Sequence, residues 1–583
     1  MSIFKRLGWF FKQEKRAYIS GVFMLFLIAI LQTLNPYLIG KVVDEIASDH
    51  MMVNMVIIFI TILGVSGIFQ YLFRYYWRVK IFGTSAKLEK ILRQRLYKHF
   101  TEMDAQFYQE HRTGDLMAHA TNDLNAIRLV AGQGILTLAD SLFTGGATLI
   151  SMFLFVDWRL TLVAMLPLPF LILSSQKIGH KIHQGFRRAQ ASFSAMNSKV
   201  QESVSGVRVI KTFGEESLDI DDFKRVTNDV VKANMSVTKY DAMFNPNINL
   251  FTGISYAITI VMGGMLVTNN ELSIGSLVAF ISYVGMMIWP MLAVGQLYNL
   301  LERGNASYDR IVNLFDQSSH IYKADNGKKS GIASDWHIAI NRFCYPDAQQ
   351  AVLKDIDFNL KNGQTIGIVG KTGSGKSTLF KLLLREYDQF TGSIRVGGVS
   401  IRDFDMDYYL KSIGYVPQDN FLFSTTIAEN IKFADPTLSE EKVRYAAKLA
   451  DIDENILELP EGYQTLVGER GVSLSGGQKQ RISIARALVT DPELLILDDS
   501  LSAVDAKTEQ KILSNLKDVR QNKSTIISAH RMSSVMDADL ILVLDNGLIQ
   551  EVGTHDQLMA NQGWYYRMYE KQKLEQHLEG GQL

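Results

Sequence analysis

The stretch Thr365-Ile-Gly-Ile-Val-Gly370-Lys371-Thr372-Gly373-Ser374-Gly375-Lys376-Ser377-Thr378-Leu-Phe-Lys-Leu-Leu-Leu384 decides the fold of the second half of the chain. An apolar strand runs into a glycine-rich loop, and the loop opens directly into a helix. Residues Gly370 to Thr378 therefore present successive backbone N–H groups around a phosphate, with the positive end of the helix dipole behind them. In that arrangement Lys376 reaches the β- and γ-phosphates and Ser377 offers an oxygen to Mg²⁺. The ligand expected is ATP with Mg²⁺.

Downstream, Glu493-Leu-Leu-Ile-Leu-Asp498-Asp499 is an apolar strand ending in acids. An acid at the C-terminal edge of a strand beside a phosphate loop suits a Mg²⁺ ligand, and Asp498 takes that role. Between the two lies Leu474-Ser475-Gly476-Gly477-Gln478, just ahead of the helical run from Lys479 to Val489. Its serine hydroxyl and glycine N–H groups sit at a helix start, again suited to a phosphate. From Trp336 onward β-rich runs alternate with helical patterns, which predicts an α/β domain. Asn326 to Gly331 reads as a linker.

Upstream the sequence changes character. Six stretches meet the length rule of about 20 apolar residues for a membrane helix. They lie between Arg16 and Lys41, from His50 to Phe73, from Leu129 to Val156, from Leu160 to Gln176, and within Ala242–Asn270 and Leu272–Leu301. The fourth carries Pro167 and Pro169, and Asp140 interrupts the third. An acid at mid-span is costly and often functional; packing against a helix partner or a wet cavity is the reading preferred here. Lys5, Arg6, Lys12, Lys15 and Arg16 precede the first span, whereas the loop from Asp44 to Asp49 has acids and no Lys or Arg. Basic residues mark the cytoplasmic side, so both termini are expected in the cytoplasm of a multi-pass cell-membrane protein. Phe4, Leu7 and Phe11 at helical spacing predict a helix lying on the inner membrane surface. The segments between spans two and three, and four and five, are charged, helical in pattern and more than fifty residues long. The expected division is a transmembrane domain over 1–312, a linker over 313–334, a cassette over 335–575 and a tail over 576–583.

Sixty Lys plus Arg balance sixty Asp plus Glu, so charge gives no sign of a nucleic-acid partner. The single cysteine, Cys344, excludes an intramolecular disulfide framework.

In this order and spacing the motifs resemble those of ATP-binding cassette (ABC) transporters, over essentially the whole chain. The resemblance implies further roles. Tyr345 matches the aromatic that stacks on adenine, and Gln418 in Val416-Pro-Gln matches the glutamine that senses Mg²⁺ and contacts the membrane domain. Gly468-Glu-Arg-Gly471 matches a segment that exporters place near the helical loops. Asp505 matches the loop linking two nucleotide sites, and His530 the switch histidine at the γ-phosphate. Thr113 to Asp123 and Glu202 to Phe213 match two cytoplasmic loops whose short helices dock on cassettes. The membrane block resembles the six-helix exporter class, and its fusion to the cassette argues for export.

The family places glutamate where this chain has Asp499, the position that orients or deprotonates the attacking water. Aspartate retracts the carboxylate by about 1.5 Å, and misplacement of about 1 Å costs on the order of 100-fold in rate. The resemblance also implies a second half-transporter packed head to tail, so that Leu474 to Gln478 and Asp505 complete the partner's ATP site. With its own acid shortened and its signature intact, the chain resembles one half of the heterodimeric bacterial multidrug exporters. The expected cargo is a small hydrophobic or amphipathic compound in contact with membrane lipid. A lipid flippase is the alternative, and a channel-like ABC protein lacks support from any long regulatory insert. Met286, Met287 and Trp289 offer themselves as cavity lining, although packing or a lipid-facing position is the commoner fate of such residues.

Overall fold

The computed structural model describes residues 3–48, 53–346, 348–468 and 474–580. Two compact units emerge: Met1–Thr101 with Thr113–Gln317, and Glu102–Arg112 with Ser318–Leu583. The first is a six-helix membrane domain and the second an α/β nucleotide-binding cassette.

Six helical runs are long and apolar enough to cross a membrane. The first two are α1 (Lys15–Ala47) and α2 (Val53–Glu102). A short helix, α3 (Ala105–Glu110), follows. Next come α4 (Thr113–Phe155) and α5 (Trp158–Ser205). A second short helix, α6 (Val207–Phe213), precedes α7 (Glu216–Thr268) and α8 (Ile274–Phe315). With 50 residues, α2 is about 75 Å long, more than twice the hydrocarbon thickness of about 30 Å. Spans and cytoplasmic extensions are thus continuous helices. Ile57, Ile60, Ile68 and Leu72 on α2 are exposed, as a lipid-facing surface requires. His50, where the second span is expected to begin, lies outside the described residues. In α5 the prolines do not break the span: Pro167 opens a new helical segment, where its missing N–H has no partner to lose.

Packing between spans uses small residues and side-chain hydrogen bonds, because lipid offers no hydrophobic gain for helix association. Tyr283 of α8 donates its hydroxyl to the Thr33 carbonyl of α1 at 2.7 Å. Ser255 of α7 donates to the Ala164 carbonyl of α5 at 2.5 Å. The closest approach is between α1 and α8, where a Cβ on Gly275 would lie 1.9 Å from the Gly40 carbonyl oxygen. Asp44 seals this crossing, accepting from the Gly275 N–H and from the Ser273 hydroxyl, each at 2.7 Å. Gly275→Leu forces the helices apart, and we expect a loss of about 2–3 kcal/mol, typical of overpacking. A melting curve of the purified protein checks this; a Tm equal to that of the wild type would contradict it.

Two expectations for the membrane domain need adjustment. Residues Ile3–Arg6 and Gly8–Gln13 are short helices, but Ile3, Leu7 and Phe10 are their buried residues, one step off the Phe4–Leu7–Phe11 face. Ile3 reaches the Gly304 position of α8, so this face packs on protein as well as facing the membrane. Second, Thr113–Asp123 is no separate loop: it is helical and opens α4. Asp123 lies in a π-helical turn and accepts from Arg310 of α8 at 3.0 Å and from His119 at 2.6 Å. The short helix grouped with the cassette is α3, which ends three residues before Thr113. Met287 is buried in the helix-packing core while Trp289 is half exposed, the commoner fates expected of such residues. Asp140, half-buried, accepts from Thr144 one turn later at 3.2 Å, in keeping with a packing role.

The cassette carries two sheets. Strands β1 (Trp336–Phe343), β2 (Leu353–Leu360), β4 (Thr391–Val396) and β5 (Val399–Ser400) form an antiparallel sheet in the order β2-β1-β4-β5. The second sheet has the order β10-β9-β3-β8-β7-β6. It comprises β3 (Thr365–Gly370), β6 (Ile413–Val416), β7 (Leu494–Asp498), β8 (Ser524–Ser528), β9 (Leu540–Asp545) and β10 (Leu548–Gly553). Strands β9, β3, β8, β7 and β6 run parallel and are buried on both faces, which explains their unbroken apolar sequences. Helix α9 (Lys376–Leu383) follows β3, α10 (Gly476–Leu488) precedes β7, and α11 (Ala506–Val519) follows it. The chain closes with α12 (Trp564–Gly580).

Candidate functional site

A parallel sheet gathers its loops at the C-terminal strand edge. Four sequence motifs meet there on adjacent strands: Gly370–Thr378 after β3, His530 after β8, Asp498 and Asp499 at the end of β7, and Gln418 two residues beyond β6.

Lys376, the first residue of α9, is buried, and its ammonium donates to the loop carbonyls of Gly370 at 2.9 Å and Lys371 at 3.2 Å. Burial pulls its pKa down, while the Asp498 and Asp499 carboxylates oppose that pull. A cation held beside two acids in a dry loop is poised for a polyphosphate. Tyr345, two residues beyond β1, packs against the same helix, its hydroxyl 3.0 Å from Thr378 Oγ1, and the Lys381 ammonium sits 5.7 Å from its ring.

Asp498 is buried, and its Oδ1 accepts from the Ser528 hydroxyl at 2.7 Å. Burial, then the Asp498 charge, pushes the phenol of Tyr415 on neighbouring β6 well above its ordinary pKa. Asp499 is half-buried and takes a left-handed backbone, φ 46°. Its N–H donates to the Ser528 carbonyl at 3.0 Å and hydroxyl at 3.1 Å. Burial raises the pKa of its carboxyl against the pull of His530. Gln418 is exposed. The oxygens of Ser377, Gln418 and Asp498 are hard donors that suit Mg²⁺. Among the described residues no cluster of three or more His, Cys, Asp or Glu forms a metal cage. Such a donor set leaves room for phosphate and water ligands, as Mg²⁺ prefers.

The second group of residues gathers elsewhere in the cassette. Ser475 N-caps α10 in a capping box: its oxygen accepts from the Gln478 N–H at 3.2 Å, and Gln478 Oε1 accepts from the Ser475 N–H at 2.9 Å. A hydroxyl that accepts internally keeps its proton free to donate outward. Leu474 is buried, while Gly476 and Gly477 pack against Ala503. Gln480 latches the same loop by accepting from the Ala503 N–H at 3.0 Å. Asp505 ends that loop and N-caps α11 through the Thr508 N–H at 3.1 Å. The motifs thus form two half-sites: one around the phosphate loop, the other around the Ser475–Gln478 cap and Asp505. Of Gly468–Gly471, residues 469–471 lie outside the described residues.

The sequence of the chain matches the ABC transporter transmembrane region family over residues 18–291 and the ABC transporter family over residues 353–502. It is 44% identical to "Probable multidrug resistance ABC transporter ATP-binding/permease protein YheI" of Bacillus subtilis, across 100% of this chain and 99% of that protein. The chain belongs to the ABC transporter family. A second relative, "Multidrug resistance-like ATP-binding protein MdlA" of Escherichia coli, is 41% identical over 99% of this chain and 98% of its own length. The fold superposes with a TM-score of 0.79 on the structure of a bacterial Atm1-family ABC exporter with ATP bound, at 25% identity, covering 96% of this chain and 98% of that one. This ABC transporter is accordingly a multi-pass membrane protein and an ATP hydrolase coupled to transport.

Several residues of the ABC transporter's site carry no motif in the sequence. Ser528 and Tyr415 reach Asp498 only because β8 and β6 flank β7. Gln572 of α12 accepts from the Met532 N–H at 2.9 Å and donates to the His530 carbonyl at 2.8 Å, fixing the loop that carries His530. Their partners lie tens of residues away, so no local pattern reveals them.

Proposed function

We propose that this ABC transporter is one half of a heterodimeric exporter of amphipathic or drug-like compounds. Both termini and the cassette face the cytoplasm, as the distribution of basic residues around the first span supports. Its own Walker motifs hold ATP with Mg²⁺ but turn it over slowly, and its Ser475 cap completes a competent site on a partner that carries the catalytic glutamate.

The observation that carries this reading is Asp499. The residue is one methylene short, and its backbone N–H is tied to the Ser528 carbonyl and hydroxyl of β8. With the backbone held there, its carboxylate stands about 1.5 Å short of where a glutamate would meet a water attacking the γ-phosphate. In this reading Tyr345 stacks on adenine, Gly370 to Thr378 wrap the phosphates, and Lys376 neutralises charge developing on them. Ser377, Gln418 and Asp498 would hold Mg²⁺, which supplies charge stabilisation at the β- and γ-oxygens. Asp498 keeps its orientation through Ser528, and His530 contacts the γ-phosphate. The printed names of the relatives, multidrug resistance in both, favour drug-like cargo over lipid.

The test is to purify the chain alone and with its co-expressed partner. ATPase activity should be feeble alone and robust together, and inside-out vesicles carrying both should accumulate ethidium on adding ATP. Robust turnover by the lone chain, unaffected by Asp499→Asn, would overturn the asymmetric reading. Translocation of a fluorescent phospholipid without ethidium uptake would assign a flippase instead.

A further inference from the structure

We infer that Arg385 and Asp388 are positioning residues that tie the connector following α8 to the far end of the phosphate-loop helix, so that ATP binding is felt at the roots of two membrane helices. The connector is the stretch after α8 ends at Phe315, and its residues Ser319 to Tyr322 are pinned at two points.

The first pin is Asp104, two residues beyond the end of α2. Its Oδ1 accepts from the Phe107 N–H at 3.0 Å, capping α3. Its Oδ2 accepts from the Ser319 hydroxyl and His320 Nδ1, each at 3.2 Å, and also from the His320 N–H. Asp104 is buried, and these donors hold its carboxyl below the usual range although burial alone would raise it. Within the membrane domain, His99 of α2 meets Phe315 of α8 edge to face, ring centroids 5.5 Å apart. The ends of α2 and α8 are therefore fastened together.

The second pin is the Arg385–Asp388 pair. The Tyr322 N–H donates to Asp388 Oδ2 at 3.1 Å, and the Tyr322 carbonyl accepts from Arg385 Nη2 at 2.5 Å. The Arg385 guanidinium is fully buried, binding Asp388 at 3.2 and 2.7 Å and the Ile401 carbonyl at 3.2 Å. Arg385 stands two residues past the end of α9, in a left-handed conformation, φ 55°. That backbone turns its side chain away from the helix path and toward the connector. Lys376 opens the same eight-residue helix, so a phosphate drawn to its N-terminus acts on a rod about 12 Å long whose other end holds Tyr322. A buried arginine binding a carboxylate and two carbonyls from separate segments is a rigid joint, since a planar fork permits little play.

Nothing in this joint touches nucleotide, so its removal should spare binding and sever transmission. Deleting one partner would strand a buried charge, whereas replacing both with apolar residues of similar volume preserves folding. The variant is therefore Arg385→Met with Asp388→Leu, in the full-length transporter. The measurement is hydrogen exchange at residues 318–322, with and without ATP and Mg²⁺. In the wild type, exchange should slow when ATP binds. In the double variant it should run about tenfold faster, as loss of charge-assisted hydrogen bonds implies, and should no longer respond to ATP, with ATP affinity within about twofold of wild type. Asp104→Asn retains a capping side chain and weakens only the first pin; it should speed exchange at His320 in the same direction. Wild-type exchange and an intact ATP response in the double variant would overturn the proposal. If the double variant fails to bind ATP, an unaltered connector in Asp104→Asn overturns it instead.

Discussion

Asp499→Glu should raise ATP turnover at this chain's own nucleotide site by on the order of 100-fold. The added methylene moves the carboxylate forward by about 1.5 Å, enough to reach a water in line with the γ-phosphate. A gain of that size corresponds to about 2.7 kcal/mol at the barrier. The opposing cost is backbone strain, because residue 499 sits at φ 46°. Aspartate tolerates the left-handed region better than glutamate does, and the difference is about 1 kcal/mol. That cost falls on the folded protein in ground and transition states alike, so it lowers stability without raising the barrier. Turnover should be measured with the partner's own catalytic acid removed, leaving this site as the only source of phosphate release. Asp499→Asn in the same background should change little, since the carboxylate it removes is already out of position.

Gly477→Leu should produce the largest loss, at least about 100-fold in the ATPase rate of the assembled transporter. A Cβ at residue 477 would lie 2.9 Å from the Ala503 carbonyl oxygen, and that oxygen belongs to a loop held by Gln480 and ending in the Asp505 cap. Neither side of the contact can give, so a leucine side chain pushes the Ser475 cap out of line with the phosphate it is proposed to meet on the partner. ATP binding at Lys376 should survive, because that loop lies on a different part of the cassette. The two variants thus separate the half-sites. Changing the acid beside this chain's phosphate loop has a small effect on the complex, and changing its signature has a large one. Equal losses from Asp499→Asn and Gly477→Leu would contradict the division of labour.

Much of this was legible in the sequence, for physical reasons that differ by region. The phosphate loop is contiguous: strand, glycines, lysine and helix start fall within twenty residues, so its geometry follows from local rules. The spans were legible because hydrocarbon thickness imposes a length that no soluble helix needs. Tyr415 and Ser528 were not, since their nearness to Asp498 depends on which strands flank β7, a matter of topology rather than pattern. Helix α3 gives little signal because Asp104-Ala-Gln-Phe107 lies in a charged, helix-rich segment. An aspartate three residues before a buried phenylalanine was its only signal, an N-cap hidden among many acids. The N-terminal face was read one residue out of phase: Phe4 and Phe11 suit lipid as well as Ile3 and Phe10 suit protein, and hydrophobicity alone does not choose between them. Arg385 and Asp388 drew no notice, because charged side chains so close in sequence usually point to solvent rather than into a core.

The central claim is that ATP sits on this chain's phosphate loop without being consumed, while the partner's site turns over. The most direct measurement is a single-turnover experiment with radiolabelled azido-ATP. The assembled transporter is crosslinked by light after one catalytic cycle, the two chains are separated, and the nucleotide on each is identified. The account predicts triphosphate on the chain bearing Lys376 and diphosphate on its partner. Diphosphate appearing on both chains at the same rate would contradict it.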